Sequence, residues 1–278
     1  MAPDIAGLFI AACRAEVMAL KPGNVHVHAA GHGMTVEDFL ASAAVAAPEI
    51  ARAGVPVGAR ILAAVRATRG VVDCNTNLGI LLLAAPLARA AELPDGRPLP
   101  ARVGAVLAGL TVADAEAAFA AIRLAQPGGL GRAAEHDVAG PATVDLRTAM
   151  MAASSRDRIA AQYAEGYADV FTIGVARARA MPGDDAVALA EAVYLDFLTA
   201  FPDSHVERKQ GQAAAEALLA EARELRRRVE AAASAAERHE RLLAFDTGLK
   251  RRGINPGTSA DLTVASLFAH WLDEGLRT

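Results

Sequence analysis

Residues 259–275 read SADLTVASLFAHWLDEG, and Leu262, Val264, Leu267, Phe268, Trp271 and Leu272 recur within them at helical spacing. A helix this apolar is predicted to lie in the core, holding its polar start rigidly. That start is Lys250-Arg251-Arg252-Gly253-Ile254-Asn255-Pro256-Gly257-Thr258-Ser259-Ala260-Asp261. The three cations suit the negative C-terminal end of a preceding helix. Asn-Pro-Gly then makes a tight turn, with Thr258 or Ser259 as N-cap. Asp261 falls in the first turn, where it favours the dipole and could also bind a metal.

Outward from this stretch, nearly every long segment has helical periodicity and almost none alternates at period two. Helices are expected at Ile5–Leu20, from Thr35, at Pro56–Thr68, Asn77–Ala91, Ala101–Leu110, Val112–Ala125, Thr143–Ala153, Ser155–Val170, Asp184–Ala200, Gln210–Glu230 and Ala235–Leu249. Thr35-Val36-Glu37-Asp38 has the pattern of a capping box. Loops are expected at Gly23–Met34, Pro127–Pro141, Met181–Gly183 and Arg252–Pro256. Ala213–Glu240 has too poor an apolar seam for a coiled coil and reads as the solvated face of two packed helices. No Pro/Ser linker divides the chain. The fold expected is all-α, one multi-helix globular domain over residues 1–278 with its polar loops meeting at a central polar cleft.

Composition narrows the function. The chain has 53% hydrophobic residues but only 4% aromatics, so its core is aliphatic. A net charge of −4 and a pI near 6.0 argue against nucleic acid as a partner. Cys13 and Cys74 make no disulfide framework, and no Cys/His spacing matches structural zinc. Met1-Ala2-Pro3-Asp4 shows no basic region leading into an apolar one, and apolar runs such as Ile80–Ala88 are too short for a bilayer. The expected address is the cytoplasm, with no membrane association. Ala-rich faces such as Ala41–Ala51 suit packing within the chain or against a second copy, which makes a homodimer one expectation.

The chain has four asparagines, all in three short polar segments, and only three lysines against 25 arginines. The first segment, Lys21-Pro22-Gly23-Asn24-Val25-His26, follows the first helix, which Pro and Gly end. Lys21 there is suited to phosphate and His26 to proton transfer near neutral pH. His28 and His32 continue the loop without a specific metal-ligand spacing. The second, Asn75-Thr76-Asn77-Leu78-Gly79, opens an apolar helix. One cap needs one such residue, and a helix N-terminus also favours phosphate. Cys74 beside it reads as a small filler, since no base accompanies it. The third is the turn at Asn255.

Two further segments carry charge. Arg158, Gln162, Glu165 and Asp169 share one helical face, which ion pairing explains as well as ligand contact does. Glu16, Asp157 and Asp169 could supply oxygens to Mg²⁺. Pro202-Asp203-Ser204-His205-Val206-Glu207-Arg208-Lys209 joins two helices, and its adjacent cations could clamp phosphate.

In this order the segments resemble the triphosphoribosyl-dephospho-CoA synthase family. The resemblance rests on Lys21-Pro22-Gly23-Asn24-Val25 after a Glu-bearing helix, Asn75-Thr76-x-x-Gly79, and Asn255-Pro256-Gly257-Thr258-Ser259-Ala260-Asp261-Leu262. Pro127-Gly128-Gly129-Leu130-Gly131 and Glu135-His136-Asp137-Val138 are similar to the archaeal and methylotroph-like branch. The Asn-Thr-His-Lys-Gly common in the family's lyase-linked members is replaced here by Asn75-Thr76-Asn77-Leu78-Gly79, removing a cation and a titratable group. The resemblance implies a cytoplasmic, Mg²⁺-dependent transferase of prosthetic-group biosynthesis, which moves a triphosphoribosyl group from ATP to 3′-dephospho-CoA and releases adenine. Its small-molecule partners are then ATP and dephospho-CoA. It assigns Lys21, Arg208 and Lys209 to phosphate, and Glu16, Asp169 and Asp261 to metal or to the oxocarbenium-like centre. Asn24, Asn75, Asn77 and Asn255 would orient ribose or base, with Thr76, Thr258 and Ser259 as neighbouring contacts, and His26 or His205 would move protons. Two rivals stand beside this: phosphoribosyl transfer to a precursor of the pterin cofactor tetrahydromethanopterin, and a non-catalytic nucleotide-binding helical protein.

Overall fold

The computed structural model describes residues 3–94, 96–183 and 185–277. The expected helix start at Asp184 and the first two residues of the N-terminal stretch read for a leader, Met1 and Ala2, lie outside these. The described residues form α-helices and no strand: α1 (Ile5–Met18), α2 (Val36–Ile50), α3 (Val57–Arg69), α4 (Leu78–Ala91), α5 (Leu99–Ala108), α6 (Val112–Ala125), α7 (Leu146–Ala153), α8 (Arg158–Glu165), α9 (Ala176–Ala180), α10 (Ala186–Ala200), α11 (Ser204–Gln210), α12 (Gln212–Glu230), α13 (Ala235–Arg251) and α14 (Gly257–Gly275). A π-helical turn, Val170–Val175, leads into α9. The protein is all-α. Among the described residues no single helix is long and apolar enough to cross a membrane.

Local chemistry sets several of these boundaries. Thr35 caps α2 as expected: its Oγ1 accepts from Asp38 N at 3.2 Å, and Asp38 Oδ2 accepts from Thr35 N at 2.8 Å. Thr111 and Asp114 repeat the device at α6. One expected helix is broken. Ser155–Val170 is not continuous, because Gly166 and Tyr167 both take left-handed backbone (φ +67° and +65°) after α8 ends. The chain then folds back, so Asp169 still meets Arg158 and Gln162. A seven-residue helix, α11, occupies a segment read only as a connection.

The core sits around two helices that are apolar on nearly every side, α4 and α14. Helix α14 packs on α4, α1, α10 and the π turn. Pro86 inside α4 has no N–H for the carbonyl of Leu82, one turn earlier. Tyr163 replaces it, donating its hydroxyl to Leu82 O at 2.7 Å, and Tyr167 donates to Leu83 O at 3.0 Å. Helices α12 and α13 pack against each other and, through Leu218, Ala222 and Leu249, build a smaller apolar cluster with Tyr194 and Leu198 of α10. This arrangement leaves the first turns of α4, α8, α11 and α14 bordering one cleft.

Candidate active site

The cleft has a volume of about 600 Å³, and all four asparagines line it: Asn24, Asn75, Asn77 and Asn255. Two loops far apart in sequence interlock to bring the first and last together. Gly23 (φ +86°) packs so closely on Pro256 and Leu249 that a Cβ would not fit. Asn24 Nδ2 donates to Asn255 Oδ1 at 2.8 Å, and Tyr194 donates to Pro22 O at 2.7 Å.

The charged residues of the first segment lie deeper than their types suggest. Lys21 is 0% exposed, donates to Glu16 and to Asn24 Oδ1 (2.8 Å), and does not line the cleft. Burial pushes the Lys21 ammonium down and the Glu16 carboxyl up, and their pairing offsets part of each shift. Glu16 does line the cleft. His26 lies behind the loop, buried, with its Nε2 3.2 Å from Asp246 Oδ1. His26 Nδ1 accepts from His28 N at 3.2 Å, so Nε2 carries the proton of the neutral ring. Burial holds that ring below the ordinary histidine range. Asp246 also accepts from Gly23 N (2.8 Å) and pairs with Lys250 (3.1 Å). His26 thus belongs to a cluster that anchors the loop, away from the cleft. His32 bonds to Gly23 O at 2.7 Å, and His28 packs edge-on against His239.

The second segment divides its polar groups among three neighbours. Asn75 Oδ1 caps α4 by accepting from Leu78 N at 3.1 Å. Thr76 bonds Ser42 of α2 at 2.7 Å, and Asn77 Nδ2 donates to Thr68 of α3 at 3.1 Å. Leu78 is a buried wall of the cleft. Cys74 also lines the cleft, and burial raises its thiol.

At the opposite wall, Asp203 ties α11 to α14. Its Oδ1 accepts from His205 N and Val206 N, while Oδ2 accepts from Ser259 N and Oγ, both at 2.8 Å. Thr258 joins the same network through Ser204 Oγ (2.9 Å) and His205 N (3.1 Å). Ser259 is therefore fully buried in structural bonds, whereas Thr258 also borders the cleft. Burial and the adjacent Arg208 and Lys209 lower His205 to about 3. Its Nε2 is enclosed, and among the described residues no hydrogen-bond partner takes it. Asp261 lines the cleft, and burial together with the carboxylates Glu16 and Asp203 raises it well above the ordinary range, with Arg208 offsetting a part.

Asp169 lies elsewhere. Arg158 grips it with two nitrogens, at 2.6 and 2.7 Å, Gln162 donates to it at 2.5 Å, and it does not line the cleft. The face at 158, 162 and 169 is thus an ion-paired support. Among the described residues no group of three or more His, Cys, Asp or Glu is placed to hold a metal, so Glu16, Asp169 and Asp261 form no joint ligand set.

Several cleft residues escaped the sequence reading of the site. The loop Pro127–Val138, including Arg132, contributes much of the lining, and Arg156 adds a further cation to Arg208 and Lys209. Arg208 is held by Gly128 O (3.2 Å) and Asp157 (3.4 Å). The loop's glycines were its signal. Leu82, Phe119, Ile122 and Met150 give the lining an apolar part. Asp246 also carried a signal: an acid set between Leu242 and Leu249 on the buried stripe of α13.

Helix N-termini, amides and cations line this hollow together with apolar side chains, a setting suited to a ligand with anionic and uncharged portions. The family model for CitG, ATP:dephospho-CoA triphosphoribosyl transferase, matches residues 2–278, and the chain belongs to that family. A crystal structure from Archaeoglobus fulgidus, described as a triphosphoribosyl-dephospho-CoA synthase, superposes with a TM-score of 0.64 at 25% identity, covering 84% of this chain and 99% of that one. No protein of curated function matches the sequence significantly. Family and neighbour make the chain a transferase of this kind.

Proposed function

We propose that the cleft transfers the triphosphoribosyl group of ATP to 3′-dephospho-CoA, giving 2′-(5″-triphosphoribosyl)-3′-dephospho-CoA and adenine, in the cytoplasm. The observation that carries this is the convergence of Asn24, Asn75, Asn77, Asn255, Glu16 and Asp261 on one hollow rimmed by Arg132, Arg156, Arg208 and Lys209. In the reaction the acceptor 2′-hydroxyl oxygen bonds to the ribose C1″ as the bond from C1″ to adenine breaks. The hydroxyl loses its proton, adenine takes one up, and positive charge develops at C1″ between the two.

Each need has a group in the cleft. Asp261, raised by its surroundings, is suited to taking the hydroxyl proton. Glu16 and Asp261 together offset oxocarbenium charge. The rim cations meet phosphates. The unpartnered Nε2 of His205 offers a hydrogen bond to the substrate, from a ring that stays neutral at physiological pH.

Mg²⁺ fits only in part. Glu16 and Asp261 are hard oxygen donors whose charges repel, which a cation relieves, whereas Asp169 is consumed by Arg158. Magnesium is often held by one or two carboxylates with substrate phosphates supplying the remainder. Bound that way, it would screen the triphosphate charge.

Incubating the protein with ATP, dephospho-CoA and Mg²⁺ should release one adenine per acceptor consumed and add the mass of a triphosphoribosyl group to dephospho-CoA. No adenine release with this pair would overturn the assignment.

A further inference from the structure

Lysine can only donate hydrogen bonds. The buried Lys21 ammonium donates to Glu16 and to Asn24 Oδ1, so the Asn24 amide cannot be turned around. Asn24 must then direct Nδ2 at Asn255, where it donates to Oδ1 at 2.8 Å. That contact fixes Asn255 in turn. Its remaining group is the N–H pair of Nδ2, for which no acceptor is found among the described residues, on a side chain that lines the cleft. The bonds beyond the ammonium therefore have one consistent polarity, running from Lys21, which Glu16 anchors from behind, through Asn24 and Asn255 to the hollow.

We propose that Lys21, anchored by Glu16, starts a directional hydrogen-bond chain through Asn24 that presents Asn255 as an obligate N–H donor to a ribose oxygen of the bound nucleotide. Lys21 is then a positioning residue that touches no substrate. Ribose is the group addressed because Asn255 borders the same cleft as Glu16, to which Lys21 and Asn24 connect it, and Asp261, the two carboxylates assigned above to the ribose centre. The identity of the ligand rests on the nucleotide reading above; the polarity of the chain rests on the chemistry of lysine alone.

Four asparagines make the test tractable, because protein labelled with ¹⁵N only in asparagine side chains gives four amide pairs. Asn24→Asp and Asn255→Asp identify two of them by loss of signal. The Asn24 amide should exchange slowly with water and the Asn255 amide quickly, and ATP should shift the Asn255 pair while adenine alone leaves it in place. Lys21→Met, which removes the donor at similar length, should abolish the slow exchange. Asn255→Asp, equal in shape but only an acceptor, should weaken ATP binding by roughly 10- to 100-fold while Asn24 stays protected. Its fold is checked by that protection, so the proposal stays testable if Lys21→Met does not fold. Equal exchange at Asn24 and Asn255 in the unaltered protein, or Asn255→Asp binding ATP as tightly as the unaltered protein, overturns the chain. Protected Asn24 with no asparagine shifted by ATP or dephospho-CoA supports the polarity and sinks the nucleotide reading instead.

Discussion

The Asp261 carboxylate lies directly over the Cα of Gly79, in the space where any other residue at position 79 would carry its Cβ. The first turn of α14 and the first turn of α4 thus meet without a side chain between them. Ile159 of α8 closes the same space from the other side. This contact explains why the Asn-Thr-x-x-Gly segment ends in glycine, although the φ of Gly79 is ordinary: the constraint is close approach, not backbone freedom.

Gly79→Ala should therefore displace the carboxylate proposed above to take the hydroxyl proton. A misplacement of about 1 Å at a reacting group costs on the order of 100-fold in rate, and turnover should fall by at least that much. Stability should fall by about 1–3 kcal/mol, as for other overpacked sites. Asp261→Ala empties the space, so Gly79→Ala made in that background should cost far less. A double-mutant cycle by chemical denaturation reads the coupling, and strictly additive costs would mean that the two residues do not compete for one volume.

The basic rim should act on binding more than on chemistry. Arg208→Gln with Lys209→Gln removes two cations beside His205 and the Gly128 loop. KM for ATP is expected to rise by roughly 10- to 100-fold, because charge-assisted bonds to phosphate are lost, with a smaller change in kcat. Initial rates across ATP concentrations separate the two. A fall confined to kcat would place the triphosphate elsewhere.

Much of this was legible before any coordinates, and the limits were physical. Capping at Thr35 is local, so four residues suffice to read it. The asparagines were conspicuous by scarcity, and the four do share one cleft. What pattern could not supply was where a charged side chain ends. Spacing put Arg158, Gln162 and Asp169 on a common face but could not say that the face closes on itself. Lys21 looked like a phosphate ligand because buried lysines are rare, and spacing alone does not say that Glu16 and Asn24 take up its ammonium out of reach of solvent. The break after α8 depends on Tyr167 holding left-handed backbone, which its distant bond to Leu83 O secures. Gly166 is a local signal for the stop, but nothing nearby announces that Tyr167 follows it into left-handed backbone.

Tyr163 offers a stability test free of the site. Tyr163→Phe strands the Leu82 carbonyl in the core and should cost about 1–3 kcal/mol. Pro86→Ala restores an N–H one turn below that carbonyl. In the Pro86→Ala background the tyrosine hydroxyl becomes redundant, and Tyr163→Phe should then cost under about 1 kcal/mol. Equal costs in both backgrounds would show that the hydroxyl is not compensating for the proline.

His205 supplies the pH dependence. Burial and the cations Arg208 and Lys209 lower it from 6.5 to about 3 in the folded protein. Between those two values the unfolded chain binds a proton at this position that the folded chain does not, so folding stability rises with pH across the window and falls as pH drops. The contribution is fully present above about pH 6.5 and lost progressively toward pH 3. Asp261 and Glu16, both raised, act in the opposite sense, so the quantity to read is a difference. Stability of the unaltered protein minus that of His205→Gln should climb between pH 4 and 6 with a slope approaching one proton. A bound triphosphate would offset the smaller part of the shift, which Arg208 and Lys209 cause, and leave the larger part due to burial, so the slope should persist over a narrower pH range. A difference curve that is flat without ligand would place the protonated ring in contact with solvent, and the unpartnered Nε2 would no longer mark a substrate contact.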